Sequence, residues 1–333
     1  MGDSLYPQWY HLTLLRGDDG TPFHAAVEQK HTWGRMWGSW DEVGPLRTVL
    51  VRRPRDSEYA GMSAQHWNED AQALVDPEGM WYWESREAPD LAKLHAQHDG
   101  LIAALQAEGA EVVEVAGEGP PHLTSSVYTR DPLLTVPGGA VIGRLHPAKR
   151  RGEERLVTQT VGGLGMPILG TIMGTGLLEG GSFCKLTPRV AVYGTSFRCN
   201  QESARQLEQL LHTLGIELLV VPLPSYSIHI DGHLGMVDVD KALIDPLGLP
   251  YWFVERLREL GIEPIVCPPG EEWAINSLAL SPGRILMSEG TPRAREVLER
   301  RGVEVLTIPY DEVQKGGGGI HCSTMELVRD PGS

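Results

Sequence analysis

Leu257-Arg258-Glu259-Leu260-Gly261-Ile262-Glu263-Pro264-Ile265-Val266 reads as the end of a helix, a glycine turn and the start of a short strand. Glycine takes a left-handed backbone without steric cost, which is what a helix C-cap needs, and the β-branched residues after it favour a strand. The pattern recurs. Leu105–Val115 carries it around Gly109, Leu211–Val221 around Gly215 and Leu298–Ile308 around Gly302, and Val161–Leu169 is a weaker copy around Gly165. Strand-like runs precede the helices at Thr48–Val51, Ala140–Ile142, Val190–Tyr193, Leu234–Val237 and Arg284–Met287. Each unit therefore reads as strands, helix, strand. Units of roughly 40–50 residues suggest a closed ring or a stacked array, and five such α/β units closing into a ring would form one domain with a central channel. A doubly wound α/β sheet is the plainer alternative, but the shared Leu-x-x-x-Gly-x-Glu spacing favours a true repeat.

Two segments fall outside this rhythm. Residues 1–38 read as an N-terminal strap ahead of a single domain spanning 39–330. Residues 56–89 form an insertion rich in Trp, Met, Asp and Glu, including His66-Trp67-Asn68-Glu69-Asp70 and Met80-Trp81-Tyr82-Trp83-Glu84. Long insertions of this kind commonly serve as lids or binding loops. The alternative is a surface excursion whose aromatics cover a dimer contact.

The balance of 29 basic against 44 acidic residues, −15 overall, argues against nucleic-acid binding and is compatible with a small cationic substrate. Cys184, Cys199, Cys267 and Cys322 are far apart and form no CxxC pair, so a structural zinc site is not expected. They fit reduced thiols in a cytoplasm. The first residues lack the apolar segment of a signal peptide, and no stretch has the apolar length to span a bilayer.

Near the C-terminus, Gly316-Gly317-Gly318-Gly319-Ile320-His321-Cys322 delivers a thiol after four glycines. Such a run serves neither a helix nor a strand interior; it permits close approach of backbone to something else. Three other polar sites lie just before strands. Tyr128-Thr129-Arg130-Asp131-Pro132 offers Asp131, Leu178-Glu179-Gly180-Gly181-Ser182 offers Glu179, and Ile228-His229-Ile230-Asp231-Gly232 offers His229 and Asp231, which share a face if the segment is extended. Any one of these acids is most simply a cap or surface charge. Their corresponding places in successive units make coincidence a poor explanation.

Together they imply a particular chemistry. A cysteine can act as nucleophile and a histidine as general acid or base near neutral pH. Three carboxylates beside a thiol oppose its ionisation, so they make sense if the substrate carries the positive charge. A guanidinium matches carboxylates in bidentate fashion. Attack on an amidine or guanidine carbon follows.

From about Trp40 to Leu327 the chain resembles the guanidino-group modifying enzymes of the pentein fold, which include arginine deiminase, dimethylarginine dimethylaminohydrolase and the amidinotransferases. Glu42–Val51 looks like their opening strand and Tyr128-Thr129-Arg130-Asp131 like their Phe-Thr-Arg-Asp motif. Leu178-Glu179-Gly180-Gly181, His229-Ile230-Asp231 and Gly317–Cys322 match the remaining signatures in order. The resemblance implies a five-bladed, pseudo-symmetric α/β-propeller of ββαβ units. It implies that Cys322 attacks the guanidinium carbon, that His229 protonates the departing amine and then activates water, and that Asp131 and Asp231 hold the guanidinium nitrogens. Glu179 would hold His229 or a nitrogen, with no metal or organic cofactor.

The chain departs from the family pattern at Ser182, where the usual residue is aspartate, and at Ser125, where arginine deiminases carry asparagine. Gly232-His233 after the His-x-Asp is unusual. Arg198 matches a position that binds the substrate carboxylate in arginine deiminases. Lys149, Arg150 and Arg151 lie near a second such position, with Arg150 the candidate contact; Ser182 completes the substrate-binding set. The leading expectation is a hydrolase cleaving a C–N bond of arginine or an arginine derivative through a covalent Cys322 intermediate. An amidinotransferase is the alternative. A pentein without chemistry would not need the Cys–His–acid set, and a cysteine protease would leave three acids without purpose. The expected partner is a small cationic guanidino compound, with no nucleic acid or membrane, and self-association into a homo-oligomer stays open.

Overall fold

In the computed structural model, which describes residues 7–13 and 20–332, Gly109, Gly165, Gly215, Gly261 and Gly302 all take φ between +70° and +82°. Each follows a helix: Leu91–Ala107, Glu153–Gly163, Gln201–Thr213, Tyr251–Glu259 and Pro292–Glu299. The amide after each glycine then donates back to the carbonyl five residues earlier, as from Ile262 to Leu257 at 2.8 Å, Ile216 to Leu211 at 3.0 Å and Ala110 to Leu105 at 3.0 Å. This is the Schellman closure, in which the orphan carbonyl and the flanking apolar pair are satisfied together. It explains the recurring Leu-x-x-x-Gly: the leucine supplies both the carbonyl and a buried side chain. Leu105, Leu211, Leu257 and Leu298 are all fully buried.

Five sheets share one wiring. A strand pairs antiparallel with the next, a helix crosses over, and a third strand returns parallel to the second. Phe183–Thr187, Val190–Thr195 and Glu217–Pro222 form one such sheet. Leu133–Val136, Gly139–Ile142 and Ile168–Thr171 form another, Leu234–Asp238, Lys241–Ile244 and Glu263–Val266 a third, and Leu278–Ser281, Arg284–Ser288 and Glu304–Ile308 a fourth. The fifth joins the two ends of the chain: Met325–Arg329 lies antiparallel to Leu46–Val51, which runs parallel to Glu111–Glu114. The fold class is therefore α/β, as the sequence suggests, built from small sheets and not from one doubly wound sheet.

Helix periodicity places the core. Leu94, Leu101 and Leu105 on one helix, and Ala204, Leu207 and Leu211 on another, face their sheets and are buried. Burying each leucine contributes about 2 kcal/mol. On Met325–Arg329 the period-2 alternation sends Met325 and Leu327 into the apolar core while Glu326 takes the other face. There it meets a buried ionic cluster. Arg130 lies 2.6 Å from Glu326, Lys185 lies 2.8 Å from Glu326 and 3.2 Å from Glu42. Charges without water require such pairing.

The insertion has its own three-stranded sheet, Trp67–Asn68, Ala73–Val75 and Tyr82–Trp83. It is anchored by Trp83, which is buried edge-on against Tyr59, and by the Glu84 amide, which donates to the Lys315 carbonyl. Of the strap, residues 1–6 and 14–19 lie outside the described residues. The rest includes the helix Ala26–Trp33 and is tied down where the Gly38 amide donates to the Leu327 carbonyl at 2.8 Å. Among the described residues no helix is long and apolar enough to cross a membrane.

Candidate active site

Five polar positions precede the first strand of the five sheets, and they converge. Asp131 stands ahead of Leu133–Val136, Glu179 ahead of Phe183–Thr187, His229 and Asp231 ahead of Leu234–Asp238, and Cys322 ahead of Met325–Arg329. The fifth, ahead of Leu278–Ser281, is Asn276. Asp131, His229, Asp231, Asn276 and Cys322 line one cavity of about 460 Å³, together with Tyr82, Lys149, Arg150 and Arg198. The segment around His229 is extended only at His229 itself; Ile230–Gly232 is a 3₁₀ turn. His229 and Asp231 nevertheless both face the cavity, because the turn rotates Asp231 toward the thiol.

The glycine run is explained by what presses on it. A Cβ at Gly318 would lie 2.5 Å from the Tyr128 ring, one at Gly319 would lie 2.6 Å from Asn276 Oδ1, and one at Gly317 would coincide with the Tyr82 hydroxyl. Backbone is thus brought against two aromatic walls and an amide, and Cys322 emerges between them. At the second diglycine, a Cβ on Gly181 would lie 2.7 Å from His229 Nδ1.

Cys322 Sγ lies 3.5 Å from Asp231 Oδ2 and accepts from Asn276 Nδ2 at 3.0 Å. Asn276 Oδ1 accepts the Cys322 amide at 3.1 Å, so one side chain grips the cysteine at two points. Burial, then Asp231 and Asp131, hold the thiol well above its usual range, against the donors from Gly319 and Asn276. His229 Nε2 sits 2.7 Å from Glu179 Oε2, and its Nδ1 lies 3.5 Å from Asp131. Burial pushes the imidazolium down, but Asp131 and Glu179 outweigh it and hold His229 above its ordinary value. Asp231 in turn receives His321 Nδ1 at 2.9 Å, and His321 Nε2 lies 3.6 Å from Glu42. His321 and the other nearby cations outweigh burial and keep the Asp231 carboxyl ionised.

Arg198 and Arg150 reach the cavity as internal counter-ions. Arg198 grips Glu179 with two nitrogens, at 2.6 and 2.9 Å. Arg150 pairs with Asp131 and also binds Glu153 through two nitrogens, at 2.8 and 2.9 Å. Burial raises the Glu153 carboxyl to about 7 despite Arg150. Both expected substrate-binding arginines are therefore already engaged with the acids that flank them. Glu179 is fully buried behind His229 and is not part of the cavity wall. Ser182, expected to bind substrate, does not line the cavity: it is fully buried at the end of the 3₁₀ turn Gly180–Ser182. The turn is closed by the Ser182 amide, which donates to the Glu179 carbonyl at 3.0 Å and seats the residue inside the fold.

The sequence reading missed Asn276, Glu42 and His321. For Asn276 the signal was present, because the position before the fifth unit's first strand is the one all the others use. We expect Asn276→Ala to lower kcat/KM about 10- to 100-fold, the worth of a hydrogen bond to a charged sulfur. The pH profile of iodoacetamide alkylation at Cys322 is expected to move to higher pH; an unmoved profile would assign Asn276 a packing role only. Asp131, Glu179 and His229 also place ligand atoms within 4.8 Å of one another, as a metal site would. Their donors are already satisfied by Arg150, Arg198 and each other, so the set needs no ion to balance it.

The family model for arginine deiminase matches residues 121–248 and 260–329, more than half of the chain. The chain belongs to the arginine deiminase family. That family sits within the guanidino-group modifying enzymes, and the matched residues include Asp131, Glu179, His229, Asp231, Asn276, His321 and Cys322 but not Glu42 or Tyr82. An N(G),N(G)-dimethylarginine dimethylaminohydrolase of Pseudomonas aeruginosa is 28% identical over 282 residues, covering 85% of this chain and 100% of the relative. A 2-nitroimidazole nitrohydrolase of a Mycobacterium species is 26% identical over 324 residues, 90% of this chain and 83% of the relative. Among solved structures, an amidinotransferase of Microseira wollei from saxitoxin biosynthesis superposes with TM-score 0.68 at 15% identity, covering 88% of this chain and 97% of its own. That last likeness concerns the fold alone.

Proposed function

We propose that the chain hydrolyses a C–N bond of a guanidino compound, arginine or an arginine derivative, through a covalent amidino intermediate on Cys322. One observation carries this reading: a thiol, an imidazole and two carboxylates face a single cavity, where burial first, and then the acids that would receive a cation, favour the protonated thiol. A guanidinium entering beside Asp231 offsets the charge that keeps the thiol neutral. Sγ then bonds to the guanidinium carbon as its proton passes to Asp231 Oδ2, 3.5 Å away, and the C–N bond to the departing amine breaks as His229 supplies a proton to the amine nitrogen. His229, now neutral, takes a proton from water as the water attacks the amidino carbon; the C–S bond then breaks, the ureido product loses its hydroxyl proton to solvent, where the released amine takes one up, and Asp231 returns a proton to the Cys322 thiolate. Glu179 and Arg198 orient His229. Asp131 shares its charge between Arg150 and the substrate.

The reading includes an architecture: the five sheets as blades of a closed propeller, residues 39–330 as one catalytic domain, and 56–89 as a cover whose Tyr82 forms part of the cavity wall. The four unpaired cysteines suit a reducing, cytoplasmic setting.

A second reading is favoured by the Arg150–Asp131 pair. Because an internal guanidinium already occupies Asp131, a neutral amidine-type carbon with a different leaving group would also be accommodated. The nitrohydrolase relative, aligned over most of the chain, fits that possibility. The test is a panel of arginine, methylated arginines, agmatine, short guanidino acids and 2-nitroimidazole, with and without acceptor amines, read by mass spectrometry. A ureido product supports hydrolysis, a new guanidine means amidino transfer, and no turnover of any guanidine removes the proposal. In the absence of substrate, iodoacetamide should alkylate Cys322 slowly at neutral pH and faster through the alkaline range. Millimolar guanidinium should accelerate it near neutrality. A thiol already fast at pH 7 would contradict the charge argument.

A further inference from the structure

His233, the residue that departs from the family pattern after His229-x-Asp231, belongs to a second ordered constellation. Its Nε2 lies 2.7 Å from Ser227 Oγ, and its Nδ1 lies 2.9 Å from Asp245 Oδ2. Nucleophile, base and orienting carboxylate therefore stand in hydrogen-bonded sequence, with the two ring nitrogens in the roles a serine hydrolase requires. The supports are specific. Asp245 is held by the Leu247 amide, which donates to its Oδ1 at 3.0 Å and leaves Oδ2 for the imidazole. The His233 amide donates to Ile230 and its carbonyl accepts from Asp245, at 2.8 and 2.9 Å, which pins the ring's backbone on both sides. Gly248 is the one residue type that fits, because a Cβ there would overlap the imidazole.

The constellation is also accessible. Ser227 and His233 both line the large cavity, whose wall also includes Tyr226, Ile228 and Trp273, whereas Asp245 is not part of that wall. The His233 and Asp245 side chains keep 18% and 22% of their surface, while Ser227, 8% exposed, is reached through the cavity it lines. None of the three has a part in the guanidino reaction proposed above.

We infer that Ser227 is a second nucleophile of this protein, activated by His233 and Asp245, and that it accepts activated carboxylic esters small enough for the cavity. Ser227 Oγ bonds to the ester carbonyl carbon while its proton passes to His233 Nε2. The C–O bond breaks and the alcohol leaves with that proton. Water repeats the sequence on the acyl-serine, returning the free hydroxyl and a carboxylic acid. Asp245 keeps His233 in the tautomer that accepts at Nε2.

The experiment uses the full chain carrying Cys322→Ser, which removes the thiol as a competing nucleophile and makes the result independent of the guanidino reaction. An alkyl fluorophosphonate is added, fluoride leaves, and the phosphonylated residue is mapped by peptide mass spectrometry; p-nitrophenyl acetate hydrolysis is followed in parallel. Label on Ser227, with both rates lowered about 100-fold or more by His233→Gln and by Asp245→Asn, is the expected result. Thermal melts of both variants separate lost relay from lost fold, and Asp245→Asn preserves shape where His233→Gln perturbs it. Absence of label from Ser227, or label that forms equally fast in a folded Asp245→Asn protein, overturns the proposal and leaves the three residues as a brace for the loop.

Discussion

Cys322→Ser is expected to lower kcat on any guanidine by at least about 10⁴-fold, the scale on which removing a covalent nucleophile acts. The reason is local. Serine fits the space and can still take the hydrogen bonds that Asn276 makes to the side chain and amide. Its hydroxyl, however, ionises far less readily than a thiol, and the surroundings that already hold Cys322 protonated, burial followed by Asp231 and Asp131, would oppose an alkoxide more strongly. Substrate binding should survive because the carboxylates are untouched, so KM or a measured Kd should move little. The melting temperature should stay within a few degrees. Steady-state kinetics and a thermal melt check both halves of the expectation. Turnover near the wild-type rate would exclude a covalent cysteine pathway.

His229→Ala should slow product formation by about 10² to 10⁴-fold, the range for a positioned general acid and base. The substitution separates the two half-reactions. A substrate whose leaving group needs no proton, such as an S-alkyl isothiourea, should still form an adduct on Cys322, because the thiol and Asp231 remain. That adduct should then persist, since nothing activates water, and intact-protein mass should show it. Rapid release from the variant would mean that another group is the base.

His229 also has a stability signature. Its folded value is raised above the unfolded one, against burial, by Asp131 and Glu179. The stabilisation it contributes is therefore fully present below its unfolded pKa of about 6.5 and is lost as pH rises through the folded value. The difference in melting temperature between wild type and His229→Ala should be larger at pH 6 than at alkaline pH. A difference independent of pH would mean that the imidazole is not held charged.

The joints of the fold were readable because each one is a local event. Gly109, Gly165, Gly215, Gly261 and Gly302 take the left-handed turn for reasons contained within about six residues: a helix end, an orphan carbonyl and a small residue without Cβ strain. Polar residues ahead of strands were readable for the same reason. Asn276 was overlooked because an amide announces no chemistry in isolation; only its grip on Cys322 does. Ser182 was not legible because it sits within the 3₁₀ turn Gly180–Ser182, and whether a turn residue faces a cavity or the interior depends on how the turn is packed.

The partners of the ionised groups were the least legible part. Arg150 and Arg198 look like free cations in sequence, 19 residues from Asp131 and from Glu179 respectively. In space they neutralise those acids before any substrate arrives. Ser227, His233 and Asp245 are separated by six and twelve residues and resemble no motif.

The chain by itself determined the repeat, the α/β class and the identity of the thiol, imidazole and acids, because helix caps, strand alternation and side-chain chemistry are properties of short segments. Only the tertiary structure decided which charge faces which. Coulomb energies depend on distance and on exclusion of water, and both are set where loops from separate sheets meet around one cavity.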